Sequence, residues 1–325
     1  MTATALDTQQ RWRRIRRGTA LVYLALLLTI VVTIGVPTDR GSLLLIILAG
    51  LGITCIGRGW RAYGRALLDW LPFTAVLIAY DYTRGVADAL GMPLHVADVA
   101  AVDRFAFGQV PTVWMQNHFF DPGSPHWYDA VATLAYASHF LATPIMAAIL
   151  WIRDRAVWMR FARRVIALAV AGLATYILFP AAPPWYAAQV GVIEPVVRAS
   201  GRGWYWLHIN HAGNLLDEGQ RASNDVAAMP SLHAAYATII ALFVIHATRS
   251  RWRWLMVAYP AIMGLALVYT AEHYVIDIVL GVVFAVIVDR LCTIWEARHP
   301  AQEERQRRAA RAAALSESTD SDVLV

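Results

Sequence analysis

The chain has 325 residues, of which 58% are hydrophobic and 16% charged, with a formal net charge of +5. Its mean hydropathy of +0.47 excludes a soluble domain of ordinary makeup. Lysine is absent and the 28 basic residues are all arginines at the edges of apolar runs, so the basic balance is no nucleic-acid footprint; two cysteines, Cys55 and Cys292, make neither a disulfide framework nor a metal site.

Apolar runs near the 20 or so residues needed to span a bilayer recur at about 19–36, 42–57, 66–84, 129–152, 163–180, 231–248, 254–271 and 274–292. They predict an all-α, polytopic transmembrane helical bundle of about eight spans. The positive-inside rule orients it. With both termini cytoplasmic, only Arg40, Arg84, Arg104, Arg198, Arg202 and Arg221 fall outside. An odd number of spans puts one arginine-rich end on the wrong side. The expected location is integral, in the plasma membrane.

The basic start, Arg11 to Arg17, precedes a long apolar run without an obvious small-x-small cleavage site, which reads as a retained first helix. Spans 1 and 2, with residues 1–65, form a peripheral hairpin of little polar content. Span 3 is broken by Pro72 and carries Asp81 and Arg84 near its outer end. Arg84 suits a bidentate phosphate contact; a salt bridge to Asp81 or Asp88 is the competing reading. In residues 96–107, Val96, Val99, Val102 and Ala106 alternate with Asp98, Asp103 and Arg104, which predicts a helix on the outer membrane surface. Span 4 holds His139, open to both a hydrogen bond within the bundle and a substrate contact. The loop from Pro180 to Pro230 carries Trp185, Tyr186, Trp204, Tyr205 and Trp206, which suit headgroup anchoring or contact with a lipid substrate. After Arg298 the tail turns to Ala, Arg, Glu and Gln, then Ser, Thr and Asp, and reads as a frayed helix running into disorder.

Two short motifs stand at the outer ends of spans 6 and 8. In Met229-Pro230-Ser231-Leu232-His233, Ser231 reads as a helix N-cap with His233 in the first turn, where free N–H groups and the positive dipole end suit a phosphate. In Glu272-His273-Tyr274-Val275-Ile276-Asp277, His273 and Asp277 are four apart, so on a helix they share a face. A carboxylate on one ring nitrogen fixes the tautomer, frees the other lone pair and stabilises the cation formed on attack. Such a histidine is a nucleophile for phosphorus, with His233 as proton donor to the leaving oxygen. A structural His–Asp bond is the bland alternative. A metal site is the competing chemistry, since His233, His273, Asp277 and Glu272 are all potential ligands; their spacing lacks the HExxH pattern, and neither metal nor cofactor is expected.

The Pro-Ser-x-His and His-x-x-x-Asp motifs resemble the last two signatures of the type-2 phosphatidic acid phosphatase superfamily. Phe179-Pro180-Ala181-Ala182-Pro183-Pro184-Trp185-Tyr186 and the MPSLH form resemble its inositol phosphorylceramide synthase-like branch. The resemblance implies a six-helix catalytic core within a membrane domain at 66–295, followed by a cytoplasmic tail at 296–325. It assigns proton donation to His233 and attack to His273, supported by Asp277. Arg84, Asp81, Ser231, His139, Trp185 and Tyr186 are candidate substrate contacts. The Lys and Arg of the superfamily's first signature, and its Ser-Arg before the nucleophile, are missing: lysine is absent and Leu267 stands six before His273.

The function expected is a lipid phosphotransferase on the outer face, inositolphosphotransferase-like, with a membrane lipid substrate and inositol or another polyol as acceptor. With water as acceptor it is a phosphatase of phosphatidic acid or a polyprenyl phosphate. The rival from another class is a proton-coupled transporter, against which the lack of an inverted repeat counts. The sequence leaves the oligomeric state open.

Overall fold

The computed structural model describes residues 3–33, 40–85, 92–209 and 227–300. Among them it is all-helical, with two isolated bridges, His95 to Ala181 and Ala181 to Ala227, in place of any sheet. The long helices are α1 (Ala3–Thr33), α2 (Arg40–Cys55), α3 (Trp60–Gly85), α6 (Trp127–Arg153), α7 (Arg155–Leu178), α10 (Leu232–Ala247), α11 (Ala258–Tyr269) and α12 (Val275–Arg298). Among the described residues, each of the eight apolar runs is helical apart from one or two residues at its ends. A 3₁₀ helix at Arg251–Val257 runs straight into α11, and short helices α4 (Ala97–Phe107), α5 (Pro111–Phe119), α8 (Pro184–Gln189) and α9 (Gly203–Trp206) cluster at one end. Trp127–Arg153, Arg155–Leu178 and Arg251–Tyr269 are long and apolar enough to cross a membrane, with shorter apolar helices at Leu45–Cys55 and Leu232–Ala247. The protein is an integral membrane bundle.

Local chemistry sets the boundaries. Asp154 alone separates α6 from α7, and its carboxylate accepts the Ala156 and Val157 N–H groups. Ser231 Oγ accepts the Ala234 N–H and starts α10. Pro111 opens α5, where its missing N–H costs nothing. Pro72 does not break α3, which runs through it; neighbouring helices re-satisfy a freed carbonyl in such bundles.

Helix α10 is apolar all round and buried along nearly its whole length, as expected of a central helix. It packs against α6, α7, α11 and α12; α3 packs on α7, α2 on α3, and α1 on α2. The largest core cluster joins Trp70 and Phe73 of α3 to Trp158, Phe161 and Leu168 of α7, Tyr236, Ile239 and Phe243 of α10, and Ala285 of α12. Helix α1, by contrast, exposes Leu21, Val22, Leu24, Leu26 and Leu28, as a lipid-facing helix does. Lipid tails are as apolar as these side chains, so association rests on close packing and polar bonds. Glycines allow the closest approaches. A Cβ on Gly172 meets the Leu232 side chain at 2.9 Å, and one on Gly281 meets the Ser231 carbonyl oxygen at 2.3 Å.

At the end remote from α4 and α5, charged groups replace small residues as the adhesive. Arg164 of α7, 3% exposed, donates to Asp289 at 2.8 Å and to Glu296 at 2.7 Å on α12. Arg160 and Arg163 also pair with Glu296. Asp69 of α3 holds Arg155 and accepts the Trp151 indole N–H at 2.8 Å. Four arginines of the 153–164 stretch, read from sequence as a topology signal alone, are therefore also interhelical partners.

Helix α4 corrects one detail of the sequence pattern. Asp103 faces inward with Val99 and Ala100, at 1% exposure, while Val102 and Phe105 face out. The carboxylate has a partner inside, described below.

Because a Cβ at 281 collides with backbone rather than with a flexible side chain, Gly281→Val is expected to destabilise the protein by about 2–3 kcal/mol and lower its melting temperature in detergent. An unchanged melting curve contradicts the close approach.

Candidate active site

The two motifs meet at the start of α10 and α12. The Ser231 N–H donates to the Asp277 carbonyl at 2.9 Å, which locks the two helix starts at one level. Tyr176 of α7 donates its hydroxyl proton to the Pro230 carbonyl at 2.9 Å and holds the approach to α10.

Across this junction three side chains line up. His273 Nδ1 faces Asp277 Oδ2 at 3.4 Å, and His273 Nε2 faces His233 Nδ1 at 3.4 Å. Asp277 is fully buried, His273 is 5% exposed and His233 is half-buried. The sequence expectation placed His273 and Asp277 on one face of a helix. In the structure His273 lies just before α12, Tyr274 is the N-cap and Asp277 is the third helical residue. The pair still meets, because the carboxylate bends back over the helix start, where its Oδ2 also accepts the Tyr274 N–H at 2.9 Å.

Helix α6 brings His139 to this group. Its ring centroid lies 4.1 Å from that of His233, and Tyr136 stacks on the same His233 ring, 4.9 Å away at 25°. Of the two sequence readings for His139, it is thus placed beside His233, within contact of the histidine pair. Ser231 is the N-cap of α10, as the spacing predicts, and is fully buried. The Asp81 and Arg84 side chains, Asp88 and Arg221 lie outside the described residues.

The FPxxPPWY segment braces the site from the side. His95 and the Pro180–Ala182 backbone exchange two hydrogen bonds of 2.9 Å, and the Ala228 N–H donates to the Ala181 carbonyl at 3.0 Å, so this segment abuts Met229 and Pro230. Trp185 is buried; its N–H donates to the Ala271 carbonyl at 3.2 Å and its ring carries the Arg198 guanidinium at 4.7 Å. Tyr186 is half-buried beside it.

The turn bearing His273 is held by residues that sequence reasoning did not single out as its supports. Glu272 is buried and accepts from Arg198 at 2.9 and 3.0 Å and from the Ser200 hydroxyl at 2.6 Å. The Ala199 N–H donates to the Thr270 carbonyl. The Gln116 side chain of α5 donates to the Val197 and Tyr269 carbonyls and accepts the Val197 N–H, all at 2.7–2.8 Å. These bonds stitch residues 197–200 onto 269–272. They impose φ +63° on Ala271, a left-handed conformation that costs a non-glycine residue about 1–2 kcal/mol. From the opposite side, Asp103 of α4 accepts the Val275 and Ile276 N–H groups at 2.9 and 3.0 Å. Burial pushes its carboxyl up from the ordinary range, against the pull of those two donors. Asp103 stands three and four positions after Ala100 and Val99, the inward residues of α4, but its donors lie 172 and 173 positions away and no local pattern marks it as a cap.

Among the described residues no group of three or more His, Cys, Asp and Glu side chains is gathered as a metal site needs. The arrangement instead offers a carboxylate-backed imidazole facing a second imidazole, at a helix start. Such an arrangement has the chemistry to supply a nucleophile and a proton carrier side by side.

Residues 97–290 match the model of the PAP2 superfamily. The phosphoinositol dihydroceramide synthase of Bacteroides thetaiotaomicron is 29% identical over 229 residues, covering 67% of this chain and 73% of that protein. The inositol phosphorylceramide synthase catalytic subunit aur1 of Schizosaccharomyces pombe is 32% identical over 120 residues, covering 36% of this chain and 28% of that protein. No solved structure matches.

Removing one member of a buried ion pair leaves the other uncompensated. Glu272→Ala is therefore expected to cost about 2–3 kcal/mol, at the low end because Arg198 is partly exposed. Glu272→Gln, which keeps an acceptor for Ser200, should cost less. Thermal unfolding in detergent measures both, and equal stability of all three proteins contradicts the assignment.

Proposed function

We propose, because this chain belongs to the PAP2 superfamily, that it is an integral-membrane lipid phosphotransferase working through a phosphohistidine on His273. The observation that carries this reading is the line Asp277–His273–His233, with both gaps at 3.4 Å.

His273 Nε2 attacks the phosphorus of a lipid phosphodiester, while Asp277 at Nδ1 holds the tautomer and offsets the developing cation. The bond from phosphorus to the leaving oxygen breaks, and His233 gives that oxygen its proton. An acceptor hydroxyl then attacks the phosphohistidine and surrenders its proton to His233. The N–P bond breaks, and both histidines return to their starting states. No proton or phosphoryl group is left over, and no metal is needed for either step.

The names of the two relatives favour phosphoinositol as the group transferred and a ceramide-type hydroxyl as acceptor. That reverses the part expected of inositol from sequence, where it was the acceptor. In this reading the site faces the exterior of the plasma membrane with both termini cytoplasmic, supported by the arginine distribution. Residues 66–295 are the catalytic domain, flanked by a peripheral hairpin at 1–65 and a tail at 296–325. His139, Ser231, Trp185 and Tyr186 serve as substrate-side contacts and braces, and Asp81 and Arg84 as contacts from α3.

The experiment incubates purified protein in detergent with labelled phosphatidylinositol, phosphatidic acid and polyprenyl phosphates, with and without ceramide, beside His273→Ala. A labelled phosphoinositol ceramide is expected with the native histidine, and a loss of at least about 10³-fold in the variant. Release of water-soluble phosphate alone makes the protein a phosphatase. Full activity in His273→Ala removes the phosphohistidine.

A further inference from the structure

Backbone N–H groups at a helix start have no partner inside the helix. In α12 they are divided between two carboxylates. Asp277 takes the Tyr274 N–H, whereas Asp103, on a different helix, takes those of Val275 and Ile276. An acidic residue in a first turn, left alone, is drawn to all such donors. With two of them already served, Asp277 keeps Oδ1 without a hydrogen-bond partner among the described residues, and its Oδ2 faces His273.

We propose that Asp103 is a positioning residue of the transfer reaction: by holding the Val275 and Ile276 N–H groups from α4, it leaves Asp277 to His273 and keeps His273 in line with His233. The inference rests on His273 as nucleophile.

Three further observations support it. Asp103 is 1% exposed, so water is no substitute as a cap. Burying a carboxylate is costly unless its oxygens are bonded, and both of these are, by charge-assisted bonds. Val99 and Ala100, its neighbours on α4, pack in one cluster with Tyr274, Met229 and Ala181, so the helix that supplies the carboxylate also supports both motif segments. Asparagine has the same shape but only one acceptor oxygen. In Asp103→Asn one N–H of the first turn goes unserved, and Asp277 is pulled toward it and away from His273.

The test compares native protein, Asp103→Asn, Asp277→Asn, the double variant and His273→Ala, all full-length in detergent, with labelled phosphatidylinositol and ceramide. Asp103→Asn is expected to lower kcat about 10–100-fold, with KM for both lipids within about twofold; the unserved N–H lowers the melting temperature modestly while the protein still folds. In the Asp277→Asn background the same substitution should cost nothing more, because it acts through the residue already changed. A merely structural cap gives losses that multiply. Multiplying losses, an effect confined to KM, or full-rate turnover overturns the proposal. Asp103→Ser, which keeps a hydroxyl acceptor of the kind ordinary caps use, provides the same comparison where the asparagine variant fails to insert. An inactive His273→Ala beside a fully active Asp103→Asn overturns the role of Asp103 alone; a fully active His273→Ala overturns the nucleophile and, with it, this role.

Discussion

The backbone hydrogen bond from Ser231 to the Asp277 carbonyl is the constraint on which the site depends. It forms only because Gly281 has no side chain, which lets the start of α10 reach the backbone of α12. Two helices joined so closely share a level, and the residues at their starts then share a depth. His233 and His273 face one another because their helices are fastened there, although 40 positions separate them in sequence.

A histidine on a turn is less fixed than one inside a helix, since no i to i+4 ladder holds its backbone. Here the turn is fixed from outside. Gln116 and the Arg198–Glu272–Ser200 group hold it on one side, and Asp103 holds the following helix start on the other. These bonds also compensate the left-handed backbone at Ala271. Interhelical polar bonds in apolar surroundings are individually modest, typically under about 1–2 kcal/mol each. Their convergence on a single turn restrains it from both sides.

Helix positions were readable because each apolar run is long and bounded by arginines, prolines or capping residues. The motif residues were readable because Ser231 carries capping chemistry and Asp277 stands four positions from His273; that Asp277 reaches the histidine from the third helical residue, bonded to the N-cap N–H, was not. The phase of α4 was misread, since Asp103 was counted with the polar residues; a buried acid is recognisable only once its distant donors are known. The partners of Glu272 were hidden for the same reason, as Arg198 and Ser200 lie more than 70 positions away. Helices α8 and α9 are too short for a periodic signal. The double use of the arginines near 155–164, as charges and as partners of Asp69, Asp289 and Glu296, depends on pairings that composition does not contain.

Arg164 and its two carboxylates have a mechanical consequence. Helix α12 is fastened near one end by that network and at the other by Asp103 and the Ser231 bond. It is a strut clamped at both ends, and tilting or sliding it breaks buried polar bonds at one clamp or the other. Any rearrangement at the site is therefore least costly in helices that carry no such pair of clamps.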